Sequence, residues 1–280
     1  MTKKGLKDIM REAVVAGYFY PGESRKLKET ILSFGKKEPP QDRKLAKGVI
    51  LPHAGYDYSG FVAAQTVNSC ELRNRLIILG PNHTGAGELF SVRTQGSWRT
   101  PLGDVPVDTE IASCLVEKSK YLKADHLAHD GEHCIEVLLP FLQMAQKDIR
   151  IVPIVVSQAN NKKIYKDIAK DILDVIKELQ CTSDVTIVAS SDMTHYEPQE
   201  DAYKKDQHVI ESILRLDSDN MLERVERLHV SMCGVVAVFI LLEIVKGLGA
   251  MQADLIRYQT SGDTTGDTRS VVGYAGIRIT

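Results

Sequence analysis

Three short apolar runs that each lead into a histidine constrain this chain more than any other feature. They read Gly48-Val49-Ile50-Leu51-Pro52-His53, Leu76-Ile77-Ile78-Leu79-Gly80-Pro81-Asn82-His83 and Thr186-Ile187-Val188-Ala189-Ser190-Ser191-Asp192-Met193-Thr194-His195. Each has the length and composition of a fully buried strand, broken by Pro, Gly or polar turn residues. If the strands lie parallel in one sheet, the three histidines emerge at the same edge. Open α/β sheets bind ligands there, beyond the carboxyl ends of their strands. Imidazoles gathered at such an edge point to a metal or an acid–base centre.

Strand and helix signals alternate along most of the chain, the pattern of an α/β fold with a largely parallel central sheet flanked by helices. A helix is expected at about 24–34, followed by a Pro- and charge-rich surface loop at 35–42. Residues 90–108 break the alternation and suggest a hairpin-like excursion over the site. Helices are expected at 109–118 and 132–144, then a strand at 150–156. The helix at 162–179 carries an apolar face of Ile164, Ile168, Ile172, Val175, Ile176 and Leu179. Further helices fall near 200–215, 221–228 and 234–245. Two strands, at 253–260 and 270–279, enclose a polar loop.

Length does not choose between one large domain and two small ones at 280 residues. A hydrophobic fraction of 43% is enough for a sizeable core, and 35 basic against 37 acidic side chains makes no case for nucleic acid or anionic membranes. The start, residues 1–7, is basic but lacks the apolar region of a signal peptide. Residues 235–242 are apolar but are followed at once by Glu243, too short a run to span a bilayer. A cytoplasmic protein is expected. The five cysteines are dispersed without a C-x-x-C pair, so a zinc ribbon or thioredoxin-type site is not indicated.

His53 and His83 are followed by small residues that let the backbone turn closely. Each alone reads more readily as a hydrogen-bonded structural histidine; together, after strands of one type, they favour a shared site. Asp192 and His195 are spaced i, i+3, so they ligate a metal or form an acid–base pair, unless the aspartate simply caps a helix beside a surface histidine. His126, His129 and His133 have helical spacing, but Asp130-Gly131 interrupts the helix. Glu132 and His133 are instead expected at a helix N-terminus facing the main site. Cys233 precedes an apolar helix, where the helix end lowers a thiol pKa; simple burial is the competing reading. His208 and His229 lie in charged helices and are expected in solvent. Gly85-Ala86-Gly87 is the only glycine-rich turn of note, with no G-x-G-x-x-G, Walker or G-x-S-x-G motif.

At these residues the chain resembles the Memo family, which includes the AmmeMemoRadiSam system B proteins. The blocks that carry the resemblance are Ala13-Val14-Val15-Ala16-Gly17-Tyr18-Phe19-Tyr20-Pro21, Pro52-His53-Ala54-Gly55-Tyr56, Gly80-Pro81-Asn82-His83 and Trp98-Arg99-Thr100-Pro101-Leu102-Gly103. Glu132-His133-Cys134-Ile135-Glu136, Ser191-Asp192-Met193-Thr194-His195-Tyr196 and Cys233-Gly234 complete the series in family order. Cys134 stands where the family usually has serine. The resemblance implies a single α/β domain over 1–280, similar to the class III extradiol dioxygenases. It implies metal ligands at His53, His83 and Cys233, with Asp192 and His195 lining the pocket and His133 nearby. A thiolate then replaces the carboxylate of the dioxygenase triad, a softer donor that suits iron or copper, with zinc possible. The implied function is a metal-binding protein with redox or oxygen-linked activity. The alternative is a non-enzymatic peptide- or protein-binding module that reuses the pocket. Expected partners are a small molecule or peptide, or a radical-SAM pathway protein. The chain itself lacks the C-x3-C-x2-C motif of a radical enzyme.

Overall fold

Side-by-side parallel pairing of the three histidine-linked runs organises the molecule. The computed structural model describes residues 10–35 and 42–280; the basic start and most of the 35–42 loop lie outside the described residues. Nine strands form the principal sheet among those residues: β1 (Gly48–Leu51), β2 (Arg75–Pro81), β3 (Phe90–Val92), β4 (Lys123–Ala124), β5 (Arg150–Val156), β6 (Val185–Ser190), β7 (His195–Glu197), β8 (Ala253–Thr260) and β9 (Val271–Ile279). Their order is β7-β9-β1-β6-β2-β5-β3-β4, with β8 also paired to β9.

The four central strands are parallel, with Val188 opposite Val49, Ile187 opposite Ile77, and Pro153 opposite Ile78. The margins are not. β9 runs antiparallel to β1, β8 and β7, and β3 runs antiparallel to β5. The sheet is therefore mixed, with a parallel centre as the buried runs required. Every residue of β1 and β6 is buried, which needs cover on both faces because successive side chains alternate.

That cover comes from helices α1 (Ser24–Gly35), α2 (Tyr56–Asn68), α3 (Thr109–Lys118), α4 (Lys163–Glu178), α5 (Gln199–Leu214), α6 (Ser218–Leu228) and α7 (Val235–Gly247). Helix α7 packs on β6, β2 and β1 and is itself backed by α4 and α6; α2 packs on β1, β8 and β9. Helix α7 is apolar nearly all round because it is enclosed nearly all round. On α4 the buried positions are Tyr165, Ile168, Ala169, Ile172, Val175 and Ile176, with Ile164 and Leu179 at the margin of the face. No described helix is long and apolar enough to cross a membrane.

Two local expectations need correction. The hairpin lies inside the 90–108 segment: Ser97–Thr100 pairs antiparallel with Gly103–Pro106, while Phe90–Val92 belongs to the main sheet. Met10–Arg11 joins this hairpin as a third strand, and Trp98 packs edge-on against His129 at 5.9 Å. The excursion thus braces the segment that carries His133. The 132–144 helix is not continuous either. A short helix, Leu127–Asp130, stops at Gly131, and helical turns resume only at Glu136–Leu138 and Leu139–Ala145. The Glu132 carboxylate accepts from the backbone N–H groups of His133 and Cys134, which holds these residues in a turn.

Candidate metal centre at the carboxyl edge of the sheet

His53 follows β1 by two residues, His83 follows β2 by two, and Asp192 follows β6 by two, so the parallel register delivers all three to one edge. His133 reaches the same space from the turn before the Glu136–Leu138 helix. Ring nitrogens of His53, His83 and His133 lie within 4.8 Å of one another. Ring centroids are 5.2 Å apart for His53 and His83, 5.5 Å for His53 and His133, and 4.8 Å for the stacked pair His83 and His133.

The hydrogen bonds behind these rings decide which nitrogen faces the pocket. The Ser190 hydroxyl donates to the Cys134 carbonyl at 2.7 Å, so its oxygen accepts from His53 Nδ1–H, also at 2.7 Å. His53 Nε2 is left as the acceptor, facing the pocket and hydrogen-bonded to the Cys233 thiol at 3.4 Å. His83 Nδ1 donates to Glu132 Oε1 at 2.9 Å, which likewise turns Nε2 outward. A carboxylate behind an imidazole is the usual support of a metal-ligating histidine.

Glu132 is fully buried and would be raised by that burial, but hydrogen bonding and charge from His83, with backbone N–H groups, hold it down to about 2. Burial alone would lower His83; Glu132 outweighs it, and the net shift is upward. His53 is lowered well below the ordinary range, first by burial and then by its neighbours His133 and His83. His133 is lowered by burial, against the opposing pull of Glu132. His53 and His133 are therefore kept neutral, the form that coordinates metals.

The other wall joins Asp192 to Cys233. Asp192 Oδ1 accepts from His53 N–H at 2.9 Å, and Asp192 N–H donates to Cys233 Sγ at 3.2 Å. Burial pushes Asp192 up to about 6, resisted by the His53 backbone bond and by the charges of His195 and His83. Cys233 does precede the first turn of α7, but the expected acidification of its thiol does not occur. Burial, then the Asp192 carboxylate, drive it strongly upward. A Cβ on Gly234 would overlap the Ser190 carbonyl and the Ser191 side chain, so only glycine lets this loop approach β6 closely. His195 N–H donates to Ser231 Oγ at 2.7 Å, and its buried Nδ1 has no partner among the described residues. Asp192 and His195 thus share the pocket wall but have different hydrogen-bond partners.

Of the other histidines, His126 pairs with Asp130 at 2.9 Å on the surface. His129 is buried against Trp98 and falls to about 3, through burial and then Arg93. The helical spacing of His126, His129 and His133 therefore gathers no common face. His208 and His229 are exposed. Sequence reasoning did not assign two parts of the site. Ser190 ends its apolar run with the hydroxyl that orients His53. Phe19 places its ring edge-on against His133 at 5.0 Å. It lies in the Ala13 to Pro21 block but carries no donor atom that would have singled it out.

A family model described as a Memo-like protein matches residues 11–278. The chain belongs to the Memo family. A MEMO1 family protein of Methanopyrus kandleri is 42% identical over 279 residues, covering 95% of this chain and 98% of that protein. A MEMO1 family protein of Aquifex aeolicus is 39% identical over 96% of this chain and 98% of its own length. A third, from Methanocaldococcus jannaschii, is 41% identical over 96% of this chain and 99% of its own length. The Memo blocks at His53, His83, Glu132 to Glu136, Asp192 to Tyr196 and Cys233 are the segments that converge on the pocket.

Proposed function

We propose that this Memo-family protein holds one metal ion between His53, His83 and Cys233, and that the site serves redox or oxygen-linked chemistry. The observation that carries this reading is the convergence of back-supported imidazoles, Nε2 outward, with the Cys233 sulfur 3.4 Å from His53 Nε2. The donor set fits a cation. Ring nitrogens of His53, His83 and His133 lie within 4.8 Å of one another, and the Cys233 sulfur stands beside His53, a concentration of soft and borderline donors around one space. Two imidazoles and one thiolate suit iron or copper, and zinc among redox-inert ions. The ion, when bound, supplies the electron-transfer or Lewis-acid chemistry that the side chains lack. Asp192, titrating near 6, can hold or release a proton within the pocket. His133 faces the same space as a neutral acceptor, and His195 offers an unpartnered ring nitrogen. The same reading places the protein in the cytoplasm, where its five free cysteines stay reduced.

Anaerobic loading with iron(II), copper(I) or zinc, followed by elemental analysis, tests the reading. Wild type should retain about one equivalent, and the His53→Ala/Cys233→Ala double variant a small fraction of it. Equal and negligible metal in both would refute it.

A second reading, a peptide-binding module, draws on two aromatic rings left in solvent, Tyr18 at 90% and Tyr196 at 78% exposure. Binding of a peptide that survives replacement of His53, His83, His133, Asp192 and Cys233 would favour it over the metal site. A small-molecule substrate or a radical-SAM pathway partner belongs with the first reading.

A further inference from the structure

Helix α5 carries a fully buried carboxylate, Asp206, that belongs to none of the groups facing the pocket. Its Oδ1 accepts from Thr194 N–H at 3.1 Å and from Thr194 Oγ–H at 2.6 Å, and its Oδ2 accepts from Tyr258 O–H at 2.8 Å on β8. Thr194 lies between Asp192 and His195, so this one carboxylate grips the loop that bears both. The rest of the loop is tied to β9: Met193 N–H donates to the Gly273 carbonyl at 2.8 Å, and Gly273 N–H to the Thr194 carbonyl at 2.8 Å. A Cβ on Gly273 would overlap Asp206 Oδ2, so the glycine is what allows the carboxylate to reach the loop.

We infer that Asp206 is a positioning residue, fixing the 192–195 loop and, through it, the placement of Cys233 against His53. The connection is continuous. From Thr194 the loop runs back to Asp192, whose N–H holds Cys233 Sγ at 3.2 Å and whose Oδ1 holds His53 N–H at 2.9 Å. It runs forward to His195, whose N–H is bonded to Ser231 two residues before Cys233. Removing the Asp206 carboxylate leaves two Thr194 donors unpaired in the interior, and the loop relieves them by moving. Burial pushes Asp206 up to about 6, against the pull of its bonds from Thr194 and Tyr258. An isosteric amide keeps an oxygen toward Thr194, with Tyr258 then accepting from the amide nitrogen.

This inference concerns the same pocket as the proposed metal site, so its test uses one measurement that needs no metal. Metal-free protein is labelled with iodoacetamide and the Cys233 peptide is quantified by mass spectrometry; zinc affinity is measured separately by chelator competition. Ile172→Ala, a buried position on α4 that touches neither the 192–195 loop nor Asp206 through any hydrogen bond, is the control for simple loss of stability. Asp206→Ala should raise Cys233 labelling about tenfold through local opening, whereas Asp206→Asn and Ile172→Ala change it less than about threefold. Thr194→Val, which deletes one of the three bonds and keeps side-chain shape, should act in the same direction at about threefold, so a misfolded Asp206→Ala does not shelter the inference. Zinc affinity should fall about tenfold in Asp206→Ala and recover in Asp206→Asn. Equal labelling in Asp206→Ala and Ile172→Ala would reduce Asp206 to a general stabiliser and overturn the inference. Wild type that retains none of iron(II), copper(I) or zinc would refute the metal reading alone, and the labelling result would still decide the role of Asp206.

Discussion

Glu132 shows how one side chain can serve both the chain's shape and its chemistry. Its carboxylate orients His83, and it satisfies the backbone N–H groups of His83, His133 and Cys134. Replacing it with glutamine removes the charge behind His83 and one of its acceptor oxygens. Metal affinity is expected to fall about 10- to 100-fold, read by chelator competition. Stability should show a defined pH window. The folded pKa of Glu132, about 2, lies below its unfolded value, so its contribution is fully present above about pH 4.5 and is lost as pH falls toward 2. A shift of that size corresponds to about 3 kcal/mol. The denaturation deficit of Glu132→Gln relative to wild type should therefore be large at pH 7 and close progressively below pH 4.5. A deficit that stays constant to pH 2.5 would show that ionisation is not its source. His53 and His83 were legible from the sequence because each follows an apolar run. The pairing of Cys233 with His53 was not, because 180 residues separate them and only the packing of α7 against β6 brings them together.

At the scale of elements, the wall around His133 depends on a segment with almost no regular structure. Residues 12–20 are held by Glu136, which accepts from Val14 N–H, Val15 N–H and Tyr20 O–H and pairs with buried Arg11. Arg11 in turn lies over the Trp98 ring at 4.4 Å and donates to the carbonyls of His129 and Glu132. Glu136→Ala leaves a buried guanidinium uncompensated and should cost about 3–5 kcal/mol in denaturant unfolding. It should also expose residues 12–20 to limited proteolysis and move Phe19 off His133. Unchanged stability would contradict the anchoring role. Gly234→Ala should displace the start of α7, lowering stability by about 1–3 kcal/mol. It should weaken metal retention as well, because Cys233 moves with it. Elements with strong periodicity or uniform apolarity were readable, as at β5, β8, α4 and α7. The 132–144 segment was not: a carboxylate that binds backbone N–H groups wins over helical propensity, and nothing in residue spacing records that competition.

Across the whole molecule, the mixed sheet explains why the pocket has two kinds of wall. Its parallel centre sends His53, His83 and Asp192 to one edge by register alone. Antiparallel β9 supplies the ties that hold the 192–195 loop, and irregular segments supply Phe19 and His133. The sequence pattern gave away the parallel centre, whose strands are apolar on both faces. It left the antiparallel margins open, because β8 and β9 read simply as strands without direction. A site assembled from so many segments should couple metal binding to global stability. With metal at 100 times its dissociation constant, wild type should gain about 2.7 kcal/mol, visible in calorimetry as a raised unfolding temperature. The His53→Ala/Cys233→Ala variant should show no such gain.

Anomalous diffraction at the iron, copper and zinc edges, from crystals grown anaerobically with each metal, tests the central claim most directly. The account predicts one strong peak bonded to His53 Nε2, His83 Nε2 and Cys233 Sγ, with Glu132 still behind His83. A metal bound elsewhere in the protein, or none at this edge of the sheet under any of the three conditions, would contradict it.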